Sequence, residues 1–210
     1  MIQHIIWDWN GTLLDDVDCC VDTLNSLLHE RAIPPVSRSS YVGAFGFPVR
    51  SYYEWLGFDF EREDFGQLSV DFIARYRTRL SSVTLHRSVL SLLTALQGRV
   101  QSQRVVSAME HALLGEMLHS YGVAPFLESH HGTGDLQAGS KVDVGRRALA
   151  QMGAIPDEVL LVGDTLHDHE LAEALGCACV LFTGGHQSAP RLQVARRPLV
   201  DTLSEILDHV

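Results

Sequence analysis

Apolar positions along the chain keep two different rhythms, and the places where the rhythm changes divide it. His4-Ile5-Ile6-Trp7 is a short apolar run that ends at Asp8, ahead of the turn Asn10-Gly11-Thr12. Such a run predicts a strand that delivers a carboxylate to its end, where open α/β sheets hold their ligands. Val17, Val21, Leu24, Leu27 and Leu28 then fall at helical spacing. They predict a helix over Val17 to Arg31, stopped by Ala32-Ile33-Pro34-Pro35. Residues 37–81 contain no convincing strand; Val49 to Leu56 and Phe65 to Leu80 are their better helical segments. Aromatic side chains from Tyr41 to Tyr76 crowd into this stretch, which predicts an all-helical insertion with a small core of its own.

From Leu85 onward helix and strand patterns alternate. Val89 to Leu96 reads as a helix, Arg104 to Ala108 as a strand carrying Ser107, and Glu110 to Tyr121 as a helix that Gly122 can cap. Ser129 to Ser140 reads as a polar loop and Lys141 to Met152 as a helix. Val159 to Val162 is a continuous apolar strand leading into Gly163-Asp164; Asp168 to Leu175 is a helix, Ala178 to Phe182 a strand and Ser204 to Val210 a closing helix. This alternation predicts an α/β fold, a Rossmann-like doubly wound parallel sheet, with the all-helical domain inserted after the first strand. The expected boundaries are 1–16 and 83–210 for the α/β core and 17–82 for the insertion.

Composition narrows the function. The chain has 210 residues, 46% of them hydrophobic, and a formal net charge of -10, which argues against nucleic acid or an anionic membrane as partner. No apolar run approaches membrane-spanning length, and no basic segment precedes the first strand. Cys19-Cys20 and Cys177-x-Cys179 form no CxxC pair and are expected to stay reduced in a cytoplasmic protein. There are no internal repeats.

Two apolar strands end in carboxylates, Asp8 and Asp164, and Asp168 follows the second by one helical turn. In a parallel sheet these ends share an edge, so the three acids can converge. Oxygen ligands without a Cys/His set suggest Mg²⁺, a metal that pairs with phosphate. Ser107 adds a neutral donor at a third strand end, and Lys141 a cation after a glycine-containing loop.

In this order, Asp8-x-Asn10-Gly11-Thr12-Leu13-x-Asp15, Ser107, Lys141 and Gly163-Asp164-Thr165-x-x-x-Asp168 resemble the motifs of the haloacid dehalogenase superfamily. The nearest likeness is to its phosphoglycolate-phosphatase-like branch, where the inserted helices form a cap. The resemblance implies Asp8 as a nucleophile that carries the phosphoryl group. It implies Asp8, Asp164 and the carbonyl of Asn10 as Mg²⁺ ligands, and Asp168 as a ligand or the holder of a metal-bound water. Ser107, the Ala108 amide and Lys141 would bind phosphoryl oxygens, with Trp9 and Thr12 beside them. Arg50, in Phe47-Pro48-Val49-Arg50, resembles a cap residue facing a second anionic group. The partner implied is a small phosphorylated metabolite, phosphoglycolate-like or a sugar phosphate, and the expected state is a monomer or weak dimer.

One position departs from the family. Its phosphatases usually carry a second aspartate two residues after the nucleophile, as a proton shuttle, and here that residue is Asn10. An amide has no titrating proton, and loss of a general acid–base group costs ~10²–10⁴-fold. Three readings stay open: a slower phosphatase, such as one whose substrate has a good leaving group; a replacement acid–base, with Asp15 or His169 nearest by motif; or a protein that binds phosphorylated ligands without turnover. A mutase is disfavoured by the missing aspartate, a dehalogenase by Lys141 and the paired metal-type acids. His130-His131 and His167-x-His169 read as ordinary surface histidines rather than a transition-metal site, and Arg196-Arg197 as a solvated pair; Thr183-Gly184-Gly185-His186 can line a pocket rim. On sequence alone, Asn10→Asp is expected to raise phosphatase turnover.

Overall fold

The computed structural model describes residues 1–134 and 141–210. In chain order these comprise β1 (His4–Trp7), β2 (Leu14–Asp15), the helices α1 (Val17–Glu30), α2 (Arg38–Ala44), α3 (Val49–Leu56) and α4 (Phe65–Arg79), and β3 (Thr84–Leu85). There follow α5 (Val89–Leu96), β4 (Ser102–Glu110), α6 (His111–Ser120), β5 (Ser129–Thr133), α7 (Lys141–Met152), β6 (Val159–Gly163), α8 (Leu166–Leu175), β7 (Ala178–Phe182) and β8 (Leu199–Val200). A 3₁₀ segment, Leu203–His209, closes the chain.

Every residue of β1 is buried, because the strand lies inside a six-stranded parallel sheet of order β5-β4-β1-β6-β7-β8. Alternate side chains leave the sheet on opposite faces. Ile5, Trp7, Val105, Leu160 and Val162 pack on one side with α1, α5 and α6; Ile6, Val106 and Leu161 pack on the other with α7 and α8. This is the α/β architecture the alternation predicts. The chain leaves the sheet through β2 and returns through β3, which pair antiparallel and bracket the four helices α1–α4.

The helical insertion does not form a separate core. Leu24, Leu27, Tyr53 and Tyr76 belong to the same apolar cluster as Trp7 and Val105, joined through Trp9, Leu13, Leu14 and Val17. The expected polar loop at Ser129 turns out to begin with a strand, the sheet-edge β5; its remainder, 135–140, lies outside the described residues. A strand spelled Ser-His-His-Gly-Thr has no apolar rhythm. It is held by backbone pairing with β4 and by side-chain hydrogen bonds, Arg104 Nε to Ser129 Oγ (3.1 Å) and Thr133 Oγ1 to the Ala108 carbonyl (3.0 Å). β4 likewise starts earlier than its apolar residues, because Ser102 pairs with His4 (2.8 Å) and Gln103 donates to the Leu93 carbonyl (3.0 Å), which satisfies buried polar groups. Among the described residues no helix is long and apolar enough to cross a membrane.

Leu161 is 1 % exposed in the centre of the sheet. Leu161→Ala is expected to lower unfolding stability by about 2–5 kcal/mol in urea titrations, the usual cost of a cavity at such a site.

Candidate active site

The strand pairing of β1 continues one residue past its end: the Asp8 amide donates to the Val162 carbonyl at 2.8 Å. That bond sets the Asp8 carboxylate beside the exit of β6, where Gly163 leads into Asp164. The loops then approach closely. Gly11 has φ +75°, and a Cβ there would lie 2.3 Å from Asp164 Oδ2. A Cβ on Gly163 would lie 2.2 Å from Asp168 Cγ, so the close packing of the acids requires glycine at both positions.

Asp8, Asp164 and Asp168 each offer an oxygen, and these atoms all lie within 4.8 Å of one another. Lys141, the first residue of α7, donates through Nζ to Asp8 Oδ1 (2.5 Å) and Asp168 Oδ1 (2.6 Å). Asp168 Oδ2 accepts from the Thr165 hydroxyl (2.7 Å) and from the amides of Thr165 (3.0 Å) and Asp164 (3.2 Å). Thr165 and Asp168 form a capping box, which is why α8 begins at Leu166, two residues before its apolar rhythm suggests. Asp164 accepts from Thr12 Oγ1 (2.8 Å) and the His186 amide (2.6 Å).

Burial, with the neighbouring acids against Lys141, holds the Asp8 carboxyl well above its ordinary value. Burial also pushes Asp164 up to about 6, although His186 opposes it. For Asp168 burial acts in the same direction, but Lys141 outweighs it and the carboxyl stays ionised below the usual range. Burial pulls Lys141 down, yet its two acidic partners raise it overall.

A second charged group adjoins the first. Asp16 is fully buried and accepts from the Gly11 amide (2.8 Å) and His186 Nε2 (3.2 Å) on Oδ1, and from Asn10 Nδ2 (2.7 Å) and the Tyr76 hydroxyl (2.8 Å) on Oδ2. Burial disfavours the His186 imidazolium, but Asp16 and then Asp164 outweigh it and push the pKa up to about 9. Burial disfavours the Asp16 carboxylate, and His186 in turn holds it ionised. The other ring nitrogen of His186 pairs with the Tyr41 hydroxyl at 3.1 Å. Cys20 lies close enough to join Asp16 and His186 as a metal group, but burial pushes its thiol far up and Sγ donates to Asp16 instead (3.6 Å).

These groups floor a cavity of about 330 Å³, lined there by Asp8, Asn10, Ser107, Ala108, Lys141 and His186, with cap helices above. The pairing of β4 with β5 shifts register between Val106 and Glu110, so the Ser107–Ala108 segment is bulged where it meets the cavity. Ser107 Oγ accepts from the Met109 amide at 3.1 Å. Trp9 and Thr12 lie beneath the floor: the Trp9 ring is fully buried against Tyr121, and Thr12 supports Asp164. Arg50 reaches the cavity, but its Nε donates to Glu54 (3.0 Å) and its guanidinium lies over Phe60. Asp15 faces His86 at 3.9 Å and His169 faces Glu173 at 3.6 Å, both outside the cavity lining. None of His130, His131, His167 and His169 belongs to a potential metal group among the described residues. Thr183 is turned to Asp201, and only His186 of its motif reaches the cavity.

Asp16, Tyr41 and Tyr76 are the residues that motif reading passes over. Asp16 stands at the start of α1 and looks like a helix cap, and the two tyrosines are lost among the aromatics of the insertion.

Residues 5–182 match the family model of haloacid dehalogenase-like hydrolases, and the chain belongs to that family of enzymes. It is 24% identical over 210 residues to a probable phosphatase, IndB, of Dickeya dadantii, covering 97% of this chain and 91% of that one. A phosphoglycolate phosphatase of Synechococcus elongatus is 26% identical over 215 residues, covering 100% and 97%. A haloacid dehalogenase-like family protein of Streptococcus pneumoniae superposes with a TM-score of 0.87 at 18% identity, covering 99% of this chain and 98% of that one.

The hydrogen bond from Asn10 to Asp16 changes what a substitution at position 10 does. Asn10→Asp sets a half-buried carboxyl against buried Asp16, where one must hold a proton or both repel. The single variant is expected to lose ~1–3 kcal/mol of stability. Adding Asp16→Asn is expected to recover most of that loss in thermal unfolding. The rise in turnover that the sequence suggests is then expected in the double variant, not the single one.

Proposed function

We propose that this enzyme is a Mg²⁺-dependent phosphatase that hydrolyses a small phosphate monoester through an aspartyl-phosphate on Asp8. The observation that carries the reading is the Asp8 carboxylate at the end of the central strand, paired with Lys141 and facing the cavity floor. The phosphatase names of the two relatives support it. We place the enzyme in the cytoplasm, in keeping with its four buried free cysteines.

The donor set fits Mg²⁺. Asp8, Asp164 and Asp168 offer buried carboxylate oxygens within 4.8 Å of one another, the hard ligands this ion takes. Asp8 and Asp164 would hold the ion with the Asn10 carbonyl, and Asp168 would serve as a further ligand or keep Lys141 in place. When bound, Mg²⁺ offsets phosphoryl charge and lets a carboxylate approach an anionic ester.

An Asp8 oxygen attacks phosphorus, the bond to the ester oxygen breaks, and that oxygen leaves with the electron pair. Lys141, the Ser107 hydroxyl and the Ala108 amide bind the phosphoryl oxygens as charge shifts between them. Water then attacks the phosphorus of the aspartyl-phosphate, releasing the Asp8 carboxylate and inorganic phosphate, which keeps the water's protons. The cap helices limit water around the ester.

A second reading, a protein that binds phosphorylated ligands without turnover, is favoured only by Asn10. Hydrolysis of p-nitrophenyl phosphate with Mg²⁺ separates the two. The expected result is turnover that EDTA abolishes and Mg²⁺ restores. Asp8→Asn is expected to lower kcat by at least about 10³-fold, as removal of a covalent nucleophile does. Binding of Mg²⁺ by calorimetry is expected to weaken in Asp164→Asn. Equal rates in the native and Asp8→Asn enzymes would leave only the binding reading.

A further inference from the structure

The chemistry of the cavity above the phosphate site has two features that the phosphatase reading does not use. The first is its wall. The cap contributes Phe45, Phe47, Tyr53, Phe65, Phe72 and Tyr76, so aromatic side chains, with aliphatic ones between them, line the cavity that Asp8 and Asn10 floor. The polar groups on that wall are largely taken. Tyr76 donates to Asp16, Tyr41 pairs with His186, and Ser69 donates to the Phe65 carbonyl at 2.8 Å.

The cations are committed as well. Among the described residues Lys141, His186 and Arg50 line the cavity; Lys141 holds Asp8 and Asp168, His186 holds Asp16, and Arg50 holds Glu54. Glu110 adds a carboxylate to the lining, fixed by the amides of Ala112 (2.9 Å) and Leu113 (2.8 Å). A second carboxylate or phosphate on the substrate would have to share Arg50 with Glu54 and would meet the acid Glu110.

The second feature is Asn10. Its side-chain amide donates to Asp16 and has no proton to give to a departing oxygen. An alkoxide whose alcohol is about as weak an acid as water, pKa about 15.7, leaves poorly without a proton donor. A phenol has a pKa near 10, so its oxide can leave unprotonated.

Resting on the phosphatase reading, we infer that the substrate is an aryl phosphate: a phosphate monoester of a phenol-like hydroxyl, with no acidic group besides the phosphate. Asp8 displaces the aryl oxide, which departs with the electron pair of the broken P–O bond and takes its proton from solvent. A cavity of about 330 Å³ holds one such ring-bearing ester, at the lower end of the range for small-ligand sites. The aromatic side chains of the cap and the amide at position 10 are separate observations, one in the cap and one in the core loop, and they select the same leaving group.

The test compares phenyl phosphate, cyclohexyl phosphate and 2-phosphoglycolate with Mg²⁺. For the native enzyme kcat/KM is expected to be at least about tenfold higher for phenyl phosphate than for 2-phosphoglycolate. Cyclohexyl phosphate, of similar shape but with an alkanol leaving group, is expected to bind comparably and to turn over at least about 10²-fold more slowly, the range set by an absent general acid. Calorimetry on Asp8→Asn reads recognition apart from reactivity, and phenyl phosphate is expected to bind at least about tenfold more tightly than 2-phosphoglycolate. Phe72→Ala, or Phe72→Leu should the alanine variant fold poorly, is expected to narrow the preference for phenyl over methyl phosphate about tenfold. Equal or better binding and turnover of 2-phosphoglycolate would overturn the aryl assignment while leaving the phosphatase reading intact. Tight binding of phenyl phosphate with no hydrolysis of any ester would keep the ligand class and remove the phosphatase. Loss of both binding and hydrolysis would overturn both.

Discussion

Lys141 bridging Asp8 and Asp168 is the interaction on which the rest of the molecule depends. An isolated buried carboxylate is too costly to keep ionised, and here four of them lie under 10 % exposed within one region of the sheet edge. They are tolerated because each is tied to cations or amides. Asp168 is saturated by Lys141 and its own helix cap, Asp16 by His186, Asn10, Tyr76 and the Gly11 amide, and Asp164 by Thr12 and the His186 amide. Asp8 pairs with Lys141 among the described residues and sits in an environment that raises its pKa. Of these four acids, Asp8 is the one that lines the cavity.

The same pairing extends into the cap. Tyr76 from α4 reaches Asp16, Tyr41 from α2 reaches His186, and beyond the ring Gln187 donates to the Phe45 carbonyl and the Ser188 amide to the Val42 carbonyl. With the apolar cluster also running unbroken from sheet to cap, position and chemistry share residues. A change that disturbs Asp16 therefore acts on the electrostatics of the floor and on the placement of the aromatic wall together.

Much of this was legible in the sequence, and what was not has a common cause. β1, β6 and β7 announce themselves as apolar runs, and Asp8 and Asp164 stand out because a carboxylate ends each of the first two. Lys141 was found because it opens a helix after a loop. β5 was missed because an edge strand spelled Ser-His-His-Gly-Thr is specified by its hydrogen bonds and not by hydropathy. Asp16 and His186 are hidden in the sequence for the same reason: they lie 170 residues apart, and only the fold turns a helix-start acid and a glycine-turn histidine into an ion pair. Trp9 and Thr12 fall inside the motif, yet the strand-to-loop geometry points their side chains into support and leaves the floor to Asp8 and Asn10.

Asn10 is best understood through its neighbours. Its amide donates to Asp16 at 2.7 Å and lies 3.1 Å from the Tyr76 hydroxyl, which itself donates to the same carboxylate. A carboxylate at position 10 would have to compete with Asp16 for those donors, so the amide is the side chain that the surrounding charges accept. The amide at position 10 thus belongs to a site organised about the Asp16–His186 pair. On the proposed mechanism, an amide at position 10 shifts the burden of proton chemistry from the protein to the leaving group. The aromatic wall built by α2–α4 is the surface that can choose a leaving group able to carry that burden.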